Sequence, residues 1–224
     1  AALVALATPV RSLGEVARDI APALEAGAIV FDVGSVKATA IREVERHLPR
    51  GAFVACHPIA GTERIGPDAA SPLLFEGRRC VICPSDDTRP DAVATIEALW
   101  TAMGAEPVRM DAALHDRVMG AGSHLPHVAA YTLAGVLSSL DEEVVGALLR
   151  LPTSSLRDTS RVAASSPAMW RDILVDNRAE VVPLVERLAA RLEALRAAIA
   201  AGDAARVEEL LSEGKSGRDR VIPP

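Results

Sequence analysis

The first half of the chain alternates short apolar runs with stretches of helical period. Residues 3–7 form an apolar run of strand length, ended by Thr8-Pro9. Within 12–26 the apolar residues Leu13, Val16, Ile20 and Leu24 recur at helical spacing, and Gly27 closes the segment. Residues 28–31 predict a second buried strand, ended by Asp32-Val33-Gly34, and 38–48 a helix stopped by Pro49. A third strand is expected over 52–56, followed by a loop rich in proline and glycine from His57 to Pro72. A fourth strand follows over 79–83, then a helix over 91–103 and a short last strand over 107–109. Strands that are apolar throughout, alternating with helices, predict a parallel sheet covered on both faces.

The second half changes character. Residues 115–140 read as one long helix kinked at Pro126, and 144–150 as a short one. Val181, Val185, Leu188, Leu192, Leu195 and Ile199 step by 4, 3, 4, 3 and 4, a narrow apolar seam of coiled-coil type flanked by arginine and glutamate. Asp203 is placed to cap a final helix that runs to Glu213 and that Gly214 ends, with a frayed tail after Lys215. The predicted organisation is an α/β domain over 1–110 followed by an all-helical domain over 111–224.

Composition narrows the possibilities. At roughly 150 residues per domain, 224 residues make one large domain or two small ones. Half the residues are apolar and 24% are charged, which argues against intrinsic disorder. A net charge of 24 − 30 = −6 argues against a nucleic-acid partner, and 3% aromatics argue against a base-stacking platform. No run reaches the ~18 consecutive apolar residues of a membrane span. The opening AALVALA imitates a signal-peptide core but lacks the basic leader, so a buried strand is the better reading. Three cysteines do not make a disulfide framework, which fits a reducing cytoplasm.

In an open parallel sheet, ligands sit at the carboxyl ends of the strands. Those ends carry Thr8-Pro9-Val10, Asp32-Val33-Gly34-Ser35 and His57-Pro58-Ile59-Ala60-Gly61, a row of small and polar residues along one crevice. A dinucleotide site also needs G-x-G-x-x-G after a first strand, where bare backbone cradles the pyrophosphate, and the 224 residues contain no such fingerprint. The sheet therefore reads as N-terminally incomplete, wanting at least one βαβ unit of roughly 30 residues ahead of Ala1.

Several constellations are suited to chemistry. At the turn from Asp32 to Lys37, Gly34 permits a tight bend and Ser35 can cap the following helix. The chain holds 22 arginines and only two lysines, so Lys37 hints at a requirement for a compact ammonium. His57, at a strand's carboxyl end, is either a general base or a loop histidine bonded to backbone. His124 and His127 stand three apart on one helix face, either as a satisfied buried pair or, with His57 or Cys56, as zinc ligands. No third ligand stands at a recognisable spacing for zinc. Cys80 and Cys83 resemble a C-x-x-C motif, but residues three apart on a strand point to opposite faces, which argues against a redox or metal role. The charged clusters at Arg157–Arg161 and Trp170–Asp172 are either solvated faces or, if an arginine lies in a crevice, grips for a carboxylate.

Taken together, these motifs resemble the prephenate and arogenate dehydrogenase family of tyrosine biosynthesis. The pieces run in family order: ATPV (7–10), DVGSVK (32–37), HPIAGTE (57–63), LFEG (74–77), HD (115–116), SHLPH (123–127), RDTSRVA (157–163) and MWRDI (169–173). The likeness covers Leu3 to about residue 200, and HPIAGTE with SHLPH at this separation is its most specific part. It implies a Rossmann-like nucleotide-binding domain followed by a helical dimerisation domain, hence a cytoplasmic homodimer. It also implies oxidative decarboxylation of prephenate to 4-hydroxyphenylpyruvate with NAD, NADP not being excluded. By the same resemblance, His57 takes or polarises the proton of the ring hydroxyl and Ser35 holds the same hydroxyl. His124 and His127 line the substrate pocket, Arg161 binds a substrate carboxylate, Glu63 sits at the pocket mouth, and Trp170 closes it, from this subunit or its neighbour. Thr8, Pro9, Asp32 and Thr62 touch the cofactor.

The chain departs from the family pattern twice. The glycine fingerprint and the ribose-reading residue after it are absent, so these 224 residues alone are expected to bind NAD poorly and to be inactive. Where relatives often carry glycines before RDxxR, this chain has Thr153-Ser154-Ser155, and Ser154 is expected to reach the substrate through its hydroxyl instead. The alternatives are an arogenate dehydrogenase or a non-catalytic dimeric remnant of the family.

Overall fold

Five of the apolar runs become five strands of one sheet in the computed structural model, which describes residues 1–61 and 66–222. The strands are β1 (Leu3–Leu6), β2 (Ile29–Asp32), β3 (Phe53–Pro58), β4 (Arg79–Cys83) and β5 (Glu106–Arg109), and they lie side by side in that order. β1, β2 and β3 are parallel, with Leu6 opposite Asp32 and Phe31 opposite Val54. β4 and β5 are parallel to each other, but β4 runs antiparallel to β3, with His57 opposite Val81. The all-parallel expectation fails at this one pairing. The connection from β3 to β4 contains no helix longer than the single turn Pro67–Ala69 among the described residues, and a parallel return needs a crossover of a dozen or more residues, usually helical.

Helices cover both faces. α1 (Leu13–Ile20) and α2 (Lys37–Glu45) put Leu13, Ala17, Ala40 and Val44 against Leu6, Val30, Phe53 and Val81. α3 (Pro90–Ala102) lays Ala92, Val93, Ile96 and Trp100 on the other face, against Phe31, Val54 and Ile82. Cys83 falls in the first of these cores and Cys80 in the second, so the C-x-x-C pair does point to opposite faces. The helix expected over 12–26 is shorter. It opens as a 3₁₀ turn after Pro9, and a 3₁₀ turn around Pro22 ends it before extended Leu24.

The long helix expected over 115–140 is interrupted in a specific way. α4 (Ala112–Met119), capped by the Asp111 side chain, passes into a π-helical turn, Gly120–His124, and then α5 (Leu125–Leu137). Pro126 has no N–H to give to the residue four before it, and its ring crowds that carbonyl. The wider π turn just upstream accommodates both. α6 (Glu142–Arg150), α7 (Ser154–Ser160), α8 (Pro167–Asp176), α9 (Arg178–Ala200) and α10 (Ala204–Val221) complete the chain. The polypeptide divides into two compact units, 1–181 and 182–224. Residues 111–181 thus pack with the sheet. Trp170 and Ile173 of α8 share the core of Leu6, Val10 and Leu13.

In the second unit, Asp203 caps α10 through the Arg206 N–H as expected, but Gly214 does not end it. The helix continues through Gly217 to Val221, supported by the Lys215–Asp219 pair at i,i+4 (2.6 Å). Arg191 of α9 bridges to Glu213 of α10 at 2.7 Å. No helix among the described residues is long and apolar enough to cross a membrane.

Candidate active site

The carboxyl ends of β2 and β3 meet the helical half at one place, and a buried ion pair underlies it. Lys37 opens α2 with no exposure at all, and its Nζ donates to Asp32 Oδ2 and to the Cys56 carbonyl, each at 2.5 Å. Asp32 is equally buried and also accepts from the Gly34 and Cys56 N–H groups, both at 2.9 Å. Its carboxylate is thereby saturated from inside the protein. It ties the β2 turn to β3 and faces Lys37, not outward to a cofactor. Ser35 does not cap α2 either: Val36 occupies the N-cap position without a side-chain bond. The free N–H groups of Lys37 and Ala38 are taken instead by the carboxylate of Asp116, 79 and 78 residues away, at 2.8 and 2.9 Å. A carboxylate at a helix N-terminus satisfies orphan donors and complements the helix dipole. Half-buried Ser35 is left with its hydroxyl unbonded among the described residues.

From Asp116 a chain of hydrogen bonds leads to His57. Asp116 Oδ1 lies 2.8 Å from His115 Nδ1, and His115 Nε2 lies 2.8 Å from His57 Nδ1. His115 is fully buried, and the two imidazoles meet edge to face. A second branch starts from the Asp116 carbonyl. Asn177 Nδ2 lies 2.9 Å from it and 2.9 Å from His124 Nδ1. His124, from the π turn, and His127, from α5, contact Trp170, the former edge-on and the latter stacked at 3.5 Å between centroids. His127 donates from Nδ1 to the Ser123 carbonyl. Trp170 is buried within its own chain by these contacts.

The surroundings lower the proton affinity of three of the imidazoles, His57, His124 and His127. Burial, then the Lys37 charge, then His115 and His124, hold His57 well below the usual histidine range. Burial pushes His124 down to about 4, although the Asp116 carboxylate pulls it up. Burial raises the Asp116 carboxyl, but the bonds from His115, Lys37 N and Ala38 N outweigh it and hold the group below its ordinary value. Burial moves His127 down as well, against its bond to Ser123 and with the help of the Arg161 charge.

The network therefore brings together His57, His124, His127 and Trp170, with exposed Arg161 within electrostatic reach of His127. Thr8 and Pro9 are exposed at the end of β1, and Ser154 is exposed at the start of α7, outside the histidine network. Thr62 and Glu63 lie outside the described residues. Three residues with central geometry, His115, Asp116 and Asn177, carry no role assigned from the sequence. The adjacent His115-Asp116 pair was visible only as a motif. Asn177, the C-cap of α8, carried no signal. Among the described residues, no cluster of three or more His, Cys, Asp or Glu has the geometry to hold a metal ion.

Comparison with known proteins agrees with this architecture. Residues 1–109 match the family "Prephenate dehydrogenase, nucleotide-binding domain", and residues 111–213 match "Prephenate dehydrogenase, dimerization domain". The chain is 39% identical to the cyclohexadienyl dehydrogenase of Zymomonas mobilis over 216 residues, covering 96% of this chain and 74% of that one. It is 31% identical to the prephenate dehydrogenase of Bacillus subtilis, covering 98% of this chain and 59% of that one. Among solved structures, the prephenate dehydrogenase of A. aeolicus in complex with hydroxyphenyl propionate and NAD+ superposes with a TM-score of 0.85 at 32% identity, over 98% of this chain and 76% of that one. With two family matches that together span nearly all of its length, the chain belongs to the prephenate dehydrogenase family.

Proposed function

We propose that the chain forms the catalytic body of an NAD-linked prephenate dehydrogenase. The observation that carries this reading is the hydrogen-bonded line Asp116–His115–His57 ending at the lip of the sheet, beside a strand end where Ser35 has an unbonded hydroxyl. The residues fit a dinucleotide's nicotinamide end. Thr8 and Pro9 are exposed at the end of β1, and half-buried Gly34 and Ser35 follow β2. A side chain at Gly34 would meet Asp32 Oδ2 at 2.9 Å and Val10 at 3.1 Å, so this turn stays bare. NAD+, when bound, supplies the hydride acceptor.

The reaction takes a hydride from the ring carbon that bears the hydroxyl, a proton from that hydroxyl, and carbon dioxide from the quaternary ring carbon. In our reading His57 accepts the hydroxyl proton as the C–O bond becomes a carbonyl. The electron pair left by the departing carbon dioxide then runs through the ring to that oxygen, which takes the proton back as the ring becomes aromatic. Ser35 positions the hydroxyl, His124 and His127 line the pocket, Trp170 walls it, and Arg161 grips a substrate carboxylate with its planar fork. Thr62 and Glu63 are proposed beside the cofactor and at the pocket mouth on the strength of the motif alone. Ser154 remains a proposed substrate donor, which requires α7 to lie at the pocket in the assembled protein.

Residues 1–110 are proposed as the nucleotide half and 111–224 as the substrate and dimer half. A homodimer through the helices is supported by the exposed seam residues Leu188, Leu192 and Ile199, two of them more than 60% exposed. Arogenate is the second substrate candidate, favoured by the 26% identity and TM-score of 0.78 to a Synechocystis arogenate dehydrogenase.

NADH formation by the gene product with each substrate tests the assignment. Prephenate is expected to turn over faster, and His57→Asn is expected to lower kcat by about 10²–10⁴ with little change in KM. Arg161→Ala raises KM instead. Faster turnover of arogenate reverses the substrate order, and wild-type kinetics in both variants removes the assigned roles. The 224 residues hold no glycine-rich turn for a pyrophosphate, so calorimetric titration of this polypeptide by itself is expected to give weak NAD binding. Micromolar affinity refutes that.

A further inference from the structure

Asp116 sends out two lines of hydrogen bonds, and following the protons along each gives opposite results at the two ends. Its carboxylate accepts from two backbone N–H groups, Lys37 and Ala38, which have no other mode of bonding. The third partner, His115 Nδ1, shares Oδ1 with Lys37 N and must therefore bring the proton itself. With one proton on the ring, that leaves His115 Nε2 as a lone pair. His57 Nδ1 then donates to it across 2.8 Å, and the lone pair of His57 is left on Nε2.

The second line starts at the Asp116 carbonyl. A carbonyl only accepts, so the Asn177 amide must face it with its NH₂ group, which fixes the flip of the side chain. The other N–H of the same group meets His124 Nδ1 at 2.9 Å. His124 Nδ1 is therefore an acceptor, and the His124 proton is on Nε2. Neither Nε2 atom has a hydrogen-bond partner among the described residues.

We propose that Asp116, His115 and Asn177 are positioning residues that set His57 and His124 in opposite tautomers, His57 offering a lone pair at Nε2 and His124 offering an N–H at Nε2. Such a pair takes a ligand that donates from a hydroxyl at one point and accepts through a carbonyl or carboxylate oxygen at another. Naming that ligand as a cyclohexadienyl hydroxy acid rests on the function proposed above. The tautomers themselves do not.

The test is long-range ¹⁵N–¹H correlation spectroscopy of the histidine-labelled chain near neutral pH, where five imidazoles are to be assigned. His57 and His115 are expected to carry their protons on Nδ1, and His124 on Nε2. His115→Phe is expected to move the His57 proton to Nε2, and Asn177→Leu to turn His124 into a mixture. A wild-type His57 protonated on Nε2, or a wild-type His124 protonated on Nδ1, overturns the proposal without recourse to any variant, so misfolding of a variant leaves it decidable. Unchanged tautomers in both folded variants overturn the positioning roles. In the dehydrogenase assay, His115→Phe is expected to cut kcat by about 10²–10⁴ while KM moves little. A gene product with no dehydrogenase activity sinks the function proposed above and leaves the spectra to stand or fall alone.

Discussion

Lys37 and Asp32 form a pair with no exposure in which every bond is made inside the chain. Such a pair contributes little net stability while intact, because desolvation offsets the attraction, but breaking it strands a charge. Lys37→Met is therefore expected to cost about 3–5 kcal/mol in urea unfolding, as Asp32 loses its cation. The scarcity of lysine had marked this position, and the structure supplies the reason. One compact ammonium, fully buried, reaches two acceptors at 2.5 Å. His57 was legible because it follows an apolar strand. Asn177 was not, because a helix C-cap asparagine looks the same whether it caps or locks an imidazole.

At the scale of elements, local pattern located most helices and strands to within a few residues. It failed where local sequence leaves the outcome open. Ser35 looked like the cap of α2, and the cap comes from Asp116, which no window of sequence around Ser35 contains. Gly214 looked like the end of α10, yet the helix runs on with its side chains paired. Gly214 and Gly217 have helical backbone, and a methyl group added at either would meet nothing within 4 Å. Gly214→Ala and Gly217→Ala are each expected to stabilise α10 by about 0.5–1 kcal/mol, read as slower amide exchange along that helix. The antiparallel β4 is the same kind of failure. Its composition is that of a buried strand in either direction.

For the whole first unit, the depressed histidines add to the loss of stability in acid. His124 titrates near its ordinary value when unfolded and at about 4 when folded, so between these values the unfolded chain binds more protons. Stability is therefore full above about pH 6.5 and falls as the pH drops towards 4, by up to roughly 3 kcal/mol from this group. His57, also depressed, acts in the same direction. Denaturation midpoints measured across this range are expected to decline with acid, and His124→Gln is expected to flatten the decline. The sequence by itself determined the strand–helix alternation, the change to helices near residue 110 and the family motifs, because these depend on side-chain period and local order along the chain. Only the tertiary structure decided what His57 is bonded to, why Ser35 keeps an unbonded hydroxyl and which group faces each ring nitrogen that carries the tautomer proposal. Those depend on groups tens of residues apart meeting within 3 Å, and a hydrogen bond's direction is set by its partner.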